Sequence, residues 1–221
     1  MRVVTWNLQH GVPDPKGPPD LSRGLLPLRA LVADIYALQE LDRRSCRTRF
    51  AHQAGVIADH LGGALLWAPA KHRLWAVQGN ALVVRGQIVD SDVVRLPGGG
   101  ERRVAALAIA DVRGTRWSVA TAHLSLDHAI AQRQLRATLD ALADHPEPRV
   151  LMGDLNRVPT LLEPVTNAAG YELVDGPFTI NARKIPDRRL DHVLLQGVVT
   201  TGAGVTKMPL SDHLAVWADL A

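Results

Sequence analysis

The sequence predicts an α/β fold built round one large core. Three observations carry this expectation. The chain has 221 residues, 47% of them apolar, enough for a core of the size that α/β and two-sheet folds of this length commonly hold as one unit. Short apolar runs with β character alternate with stretches in which leucines recur at helical spacing. The β-like runs also begin or end at compact polar groups: Asn7, Glu40, His123, Asp154 with Asn156, Asp191 with His192, and Asp212 with His213. Polar groups beside buried strands are costly unless paired. Six of them suggest strand ends that converge on one place.

The elements follow in order. Arg2 to Leu8 is rich in β-formers and leads into Gln9-His10-Gly11. Val12 to Gly24 carries many Pro and Gly residues and is expected to be an irregular loop. Leu25, Leu28 and Val32 fall at helical spacing, with Pro27 expected in the first turn of the regular helix. Asp34 to Leu38 reads as a strand ending in Gln39-Glu40. Phe50 to Leu61 reads as a helix stopped by Gly62-Gly63. Ala64 to Ala68 and Ala81 to Arg85 read as strands flanking a loop with Gly79-Asn80. Val89 to Leu96 is a strand cut by Pro97-Gly98-Gly99-Gly100, and no phosphate-binding fingerprint is present there. Val104 to Val112 and Trp117 to Ala122 form a hairpin about Arg113-Gly114. Leu126 to Ala143 is a helix with Leu135, Leu139 and Leu142 on one face. Thr160 to Ala169 is a short helix, Gly176 to Ile180 a loop, and Leu190 to Leu195 and Leu214 to Leu220 are strands.

Composition narrows the function. Net charge is +3 with a calculated pI of 9.4. Arginine dominates the cations, which favours recognition of phosphate or carboxylate, although a mild basic excess only hints at an anionic partner. Cys46 is the one cysteine, so a disulfide framework and a cysteine-rich zinc site are excluded. No apolar run reaches the roughly 18 residues of a membrane helix. Met1 to Trp6 enters a strand pattern directly, without a signal-peptide core. A soluble, cytoplasmic protein is expected.

The most informative stretch is Val150-Leu151-Met152-Gly153-Asp154-Leu155-Asn156. An apolar strand meets a glycine that permits a tight backbone turn. Asp154 and Asn156 then lie at i and i+2, on one side of an extended segment. A carboxylate and an amide there suit a hard cation and an anionic oxygen; an Asx turn closing the strand is the ordinary alternative. The other strand ends tip the balance. Carboxylates and an amide suit Mg²⁺ or Mn²⁺, and histidines move protons near neutral pH. Together they form a kit for metal-assisted hydrolysis of a phosphate ester.

Seven segments in order carry a specific resemblance: Thr5-Trp6-Asn7-Leu8, Ala37-Leu38-Gln39-Glu40, Gly79-Asn80-Ala81-Leu82, Thr121-Ala122-His123-Leu124, Gly153-Asp154-Leu155-Asn156, Leu190-Asp191-His192-Val193 and Ser211-Asp212-His213. Over nearly the whole chain the sequence resembles the endonuclease/exonuclease/phosphatase superfamily. The resemblance implies a four-layered α/β sandwich, two mainly antiparallel sheets face to face with helices outside, in one domain over 1–221. It implies a divalent-metal-dependent phosphoesterase using Mg²⁺ or Mn²⁺. Glu40 resembles the principal metal ligand, helped by Asn7 and Asp212. His213 resembles the general base and Asp191 the carboxylate that orients it. Asp154 and Asn156 resemble the pair that positions water, a second cation or the scissile phosphate. His123 resembles a phosphate contact and general acid, and Asn80 falls at a substrate position. Gln78 departs from the deoxyribonuclease branch, which has glutamate there. Glutamine orients an imidazole without stabilising its charge, which weakens the acid role of His123 and leaves its phosphate contact.

The remaining candidates have plainer readings. His10, His52, His60, His72, His128 and His145 match no motif and are expected on the surface or at helix caps. His192 should point away from the site by alternation. Trp67, Trp75 and Trp117 are expected to pack in the core or loops, and Cys46 to be a bystander. Arg102 and Arg103 have two readings of at least equal weight, a solvated basic edge and a contact with substrate phosphate, for which Arg103 is the candidate; Arg133 and Arg136 are further candidates. A phosphodiesterase acting on nucleic acid is the first expectation, from the basic, arginine-rich chain. A phosphatase or phosphodiesterase for a lipid head group or small molecule comes second. A catalytically dead binding module comes last, because Glu40 and His213 are both present.

Overall fold

In β1 (Arg2–Asn7) the side chains alternate between two apolar clusters: Val3 turns to one, Val4 and Trp6 to the other. This pleat organises the molecule. The computed structural model describes residues 1–13 and 17–221. After β1 come α1 (Ser22–Ala30), β2 (Ile35–Arg43), α2 (Gln53–Leu61), β3 (Ala64–Arg73), β4 (Ala76–Val84), β5 (Gln87–Arg95), β6 (Val104–Val112), β7 (Thr115–His123), α3 (His128–Ala143), β8 (Arg149–Asp154), α4 (Pro159–Ala168), β9 (Glu172–Leu173), β10 (Asp191–Gln196), β11 (Thr200–Thr206) and β12 (Ala215–Leu220). The strands form two six-stranded sheets, in the orders β11-β12-β1-β2-β4-β3 and β5-β6-β7-β8-β10-β9. Among the described residues only β1–β2 and β7–β8 pair in parallel, each bridged by a helix, as parallel neighbours require.

Three apolar clusters define four layers. Val3, Ile35, Ala37, Val119, Val150, Met152, Val193 and Val216 meet between the sheets. Val4, Trp6, Tyr36 and Leu38 on the outer face of the first sheet pack against Leu28 of α1 and Ile57 of α2. Leu151 and Leu194 on the outer face of the second pack against Leu135 and Leu139 of α3 and Leu162 of α4. The strands are buried on both faces and therefore read as continuous apolar runs. A polar link crosses the central layer at Gln39, whose amide donates to Thr5 at 3.0 Å and to Thr121 of the facing sheet at 2.9 Å, which satisfies groups that would be costly unpaired.

Several expectations need correction. The loop expected over 12–24 is shorter, because α1 begins at Ser22, and Asp14, Pro15 and Lys16 lie outside the described residues. Asp20 accepts from Ser22 N at 3.2 Å and from its hydroxyl at 2.6 Å, so the helix starts early and Pro27 falls inside it. Val32 lies past its end with φ 52. α2 starts at Gln53, with Phe50 at φ 61 in the preceding turn. Gly79-Asn80 belong to β4, where a Cβ on Gly79 would come within 2.3 Å of the Ala68 carbonyl oxygen. The β3–β4 hairpin instead turns at Leu74-Trp75. Strands β9 and β11 escape the sequence pattern: β9 is two residues long, and β11 is an edge strand with a half-exposed Thr-Gly-Ala-Gly sequence.

Candidate active site

The pleat that buries Val3, Val119, Met152 and Val193 between the sheets carries on to the strand ends. Two or four residues further along, on the same faces, stand Asp154 and Asp191, and Asn7 and His123. Register then brings them together: His123 pairs with Asp154 across β7–β8, and Asp154 with Asp191 across β8–β10. Gly153 makes the first contact possible, since a Cβ there would come within 2.0 Å of the Ala122 carbonyl oxygen. Glu40 reaches the same place by another route. Alternation after Tyr36 and Leu38 would aim it at the outer layer, but the β2–β4 register shifts between Leu38 and Leu41, and Glu40 adopts φ 55. This bulge returns Leu41 to the outer cluster and turns Glu40 inward.

Asn7 is the hub. Its Nδ2 donates to Glu40 Oε1 at 3.2 Å and to Asp154 Oδ2 at 3.0 Å, while its Oδ1 accepts from Gln9 N at 3.0 Å. His123 lies across Asp154, Nε2 to Oδ2 at 3.5 Å, with its Nδ1 3.9 Å from Glu40 Oε1. Those carboxylates, and not Gln78, are its partners within ion-pair reach among the described residues. His213 sits on the other side. Its Nδ1 is 2.8 Å from Asp191 Oδ2, and its Nε2 is 3.9 Å from both Asp154 Oδ2 and Asp212 Oδ1. Ser211, at φ 70, fixes the turn that delivers it by donating to Asn7 O at 2.6 Å and accepting from His213 N at 3.0 Å. Asn156 caps the Asp154 turn: its N donates to Asp154 Oδ1 at 3.1 Å and its amide to Leu124 O at 2.9 Å. Asn80 is buried at the edge of the group, its amide on Val104 O at 3.2 Å.

The electrostatics follow from burial and these contacts. For His213 burial acts downward, but the charge and hydrogen bond of Asp191, with Asp154 and Asp212, push its pKa up to about 10. Burial lowers His123 to about 4, Arg103 and His213 acting in the same sense and Asp154 against them, so its imidazole is neutral at pH 7. Burial, with the charge of Asp191, raises Asp154. His192 turns away, as alternation predicts: its Nε2 meets Arg157 O at 2.7 Å.

A cleft of about 760 Å³ opens over this floor. Its walls hold residues that sequence reasoning passed over. His10 is not a bystander: its Nε2 lies 3.2 Å from Glu40 Oε2 and its Nδ1 3.4 Å from Asp42 Oδ1. Arg47 grips Asp42 with two bonds of 2.6 and 2.8 Å behind it. Burial opposes ionisation of Asp42, yet Arg47 and His10 hold its carboxyl down at about 2. The signal was the position of His10 directly after the Asn7 strand end. Trp117 is buried and Trp67 packs edge-on against His52, but Trp75 is 74% exposed at the β3–β4 hairpin tip on the cleft rim, with Phe50 also on the rim at 65%. Arg44, Arg73 and Arg188 line the rim with them, and Cys46 is exposed beside Arg47. Arg103 lines the cleft, whereas Arg133 and Arg136 are exposed on α3 outside it.

A model of the endonuclease/exonuclease/phosphatase family matches residues 4–213. The chain belongs to this family. Members of the endonuclease/exonuclease/phosphatase family are metal-dependent phosphoric ester hydrolases, and so is this chain. No curated protein matches the sequence. Solved structures of the same fold do. A family protein from Beutenbergia cavernae DSM 12333 has a TM-score of 0.81 at 26% identity, over 100% of this chain and 71% of that one. D. rerio TDP2 complexed with single strand DNA product has a TM-score of 0.77 at 19% identity, over 100% and 98%. A mannosyl-6-phosphatase of Bacteroides thetaiotaomicron VPI-5482 has 0.74 at 15% identity, over 100% and 99%. Among the described residues no helix is long and apolar enough to cross a membrane.

The donor set fits the divalent cation on which this family depends. Carboxylate oxygens of Glu40 and Asp154 crowd about one amide, burial and neighbouring negative charge raise the pKa of Asp154, and buried Asp191 Oδ1 has no hydrogen-bond partner among the described residues. Asp154, Asp191 and His213 also present ligand atoms within 4.8 Å of one another.

Proposed function

We propose that this chain is a phosphodiesterase acting on nucleic acid, with Mg²⁺ or Mn²⁺ held by Glu40, Asn7 and Asp212. The Asp154, Asp191 and His213 group is the tighter cluster, but His213 Nδ1 and Asp191 Oδ2 are taken up with each other at 2.8 Å. That favours a proton-handling pair there and a cation on the Glu40 side. Asn7 presents Nδ2 to both carboxylates, so serving as a ligand requires its amide to turn over. The cation would neutralise charge on the phosphoryl oxygens.

The remaining steps belong to the side chains. His213 Nε2 faces the cleft and takes the proton of the attacking water. Asp191 holds Nδ1 and stabilises the imidazolium that results; without a cation the carboxylates push the pKa of His213 up to about 10 and keep it protonated at pH 7, and a divalent cation beside them would offset that charge and free Nε2 to act as base. Asp154 and Asn156 position water and phosphate. Neutral His123 donates a hydrogen bond to a phosphoryl oxygen, which suits it better than the acid role. Arg103 and Asn80 contact the substrate.

The observation that carries the nucleic-acid reading is the cleft lining, which holds Arg44, Arg73 and Arg188 together with exposed Trp75 and Phe50 beside an acidic floor. Cations that follow a backbone and aromatic faces on which bases stack are what single-stranded nucleic acid needs. A protein of the same fold, D. rerio TDP2, holding a single strand DNA product lends support. The test is a labelled single-stranded oligonucleotide incubated with Mg²⁺, beside a panel of sugar and inositol monoesters. Shortened oligonucleotide with no release of inorganic phosphate is expected. Intact oligonucleotide with phosphate released from a monoester would overturn the reading in favour of a phosphatase.

A further inference from the structure

Beside the catalytic floor the cleft runs into a small annex lined by Glu40, Gln78, Asn80, His123, Lys71, Glu101 and Arg103. Two cations meet there on one carboxylate. Lys71 Nζ lies 2.5 Å from Glu101 Oε2, and Arg103 Nη2 lies 3.5 Å from Glu101 Oε1. The cations are the more buried partners: the Lys71 and Arg103 side chains are 26% and 13% exposed, against 37% for Glu101. Arg103 Nε is buried with no hydrogen-bond partner among the described residues. The site therefore holds more donor capacity than Glu101 uses.

Glu101 is carried differently from the cations it meets. Lys71 stands in β3, paired with Gln78, and Arg103 is anchored at the foot of β6 by its carbonyl oxygen accepting from Leu96 N at 3.0 Å. Glu101 ends the run Pro97-Gly98-Gly99-Gly100. Gly98 and Gly100 adopt φ 127 and φ 83, and a Cβ on Gly99 or Gly100 would meet nothing within 4 Å. Fixed cations thus face an acid whose tether is held at Pro97 and Gly98 by Gln134 and Ile130 and is open at Gly99 and Gly100.

We propose that Lys71 and Arg103 form a subsite for a second, non-scissile phosphate of the substrate, and that Glu101 occupies it in the free enzyme and withdraws on its glycine tether when that phosphate arrives. This rests on the phosphodiester reading and adds to it a second anchoring point. Glu101 and a backbone phosphodiester each carry one negative charge, so the exchange leaves the charge of the annex unchanged. The phosphate offers additional acceptor oxygens to the guanidinium, including its idle Nε. Partly exposed ion pairs of this kind are weak, so each holds the gate shut by no more than about fivefold.

Hydrolysis of bis-p-nitrophenyl phosphate, which has no second phosphate, provides the readout. Thymidine 3′,5′-bisphosphate and thymidine 5′-monophosphate are compared as inhibitors of the wild type, Glu101→Gln and Lys71→Met. The inhibition of each variant is read against its own uninhibited rate. The wild type should bind the bisphosphate more tightly than the monophosphate. In Glu101→Gln that preference should widen by about threefold to fivefold, and in Lys71→Met it should vanish. An unchanged preference in Glu101→Gln, or an equal shift for both inhibitors, would overturn the proposal. A failure of oligonucleotide cleavage would instead strike the nucleic-acid reading, which this inhibition experiment does not use.

Discussion

Glu40 Oε2 and His10 Nε2 lie 3.2 Å apart, although Glu40 stands on a strand whose alternation would send it to the opposite layer. The bulge at Glu40 with φ 55 and the left-handed turn at His10 with φ 59 together create this contact. Two strained backbone positions facing one another mark a site that the surrounding fold over-determines. Arg47 and Asp42 complete the support from behind.

Glu40→Gln removes a charge at nearly constant shape. Mg²⁺ affinity should fall by tenfold or more, since even disturbing a residue behind a ligand usually costs about 10–100-fold. His10→Ala should weaken Mg²⁺ as well, by about tenfold, because Glu40 loses its support. Calorimetry on the folded variants measures both. Unchanged Mg²⁺ affinity in Glu40→Gln would refute the ligand assignment.

The rim makes a separate claim. Stacking of one base on an aromatic side chain is worth about 1–3 kcal/mol, so Trp75→Ala should weaken binding of a single-stranded oligonucleotide about tenfold. Hydrolysis of bis-p-nitrophenyl phosphate should stay unchanged. Arg73→Ala should flatten the log–log salt slope by about 0.7, the value for one phosphate contact on a single strand. Binding is titrated with the Asp154→Ala protein in Ca²⁺ across a KCl series. A flat salt response in the parent protein would remove the electrostatic case for nucleic acid.

His192 predicts a pH dependence of stability unconnected with catalysis. Burial, with Arg189 nearby, holds its pKa down at about 3, against an ordinary 6.5. Between those values the unfolded chain binds a proton that the folded one refuses, so stability rises with pH. The contribution is complete above about pH 6.5 and is lost as pH falls towards 3. At pH 5 the loss is about 2 kcal/mol. His192→Gln keeps a donor for the Arg157 carbonyl and cannot titrate. Denaturant unfolding at pH 7.5 and pH 5 should show the wild type losing about 2 kcal/mol more than the variant; equal losses would mean that His192 is not buried neutral.

Much of this was legible in the sequence because both faces of the central strands are covered. Val3, Val119, Met152 and Val193 must be apolar, so the polar residue that breaks each run stands out. Asn7, His123, Asp154 and Asp191 could be found that way. What escaped was governed by local backbone geometry and by contacts distant in sequence. The Glu40 bulge breaks the period that would have located its side chain. His10 becomes a neighbour of Glu40 only through a left-handed turn that no residue type demands. Trp75 has no spacing that suggests base stacking in a chain with 4% aromatics, so the sequence predicts packing; only the length of β3 and β4 puts it on a hairpin tip. The edge strand β11 faces solvent along much of its length and had no apolar pattern to reveal it.

The most direct test of the central claim is a double-mutant cycle on His213 and Asp191, with hydrolysis of bis-p-nitrophenyl phosphate in Mn²⁺ as the rate. If His213 is the base and Asp191 acts only through it, His213→Ala loses about a hundredfold or more. Asp191→Asn shows a related loss, and the double variant is little slower than His213→Ala alone. Losses that add in log rate, or a His213→Ala protein as fast as the wild type, would contradict it.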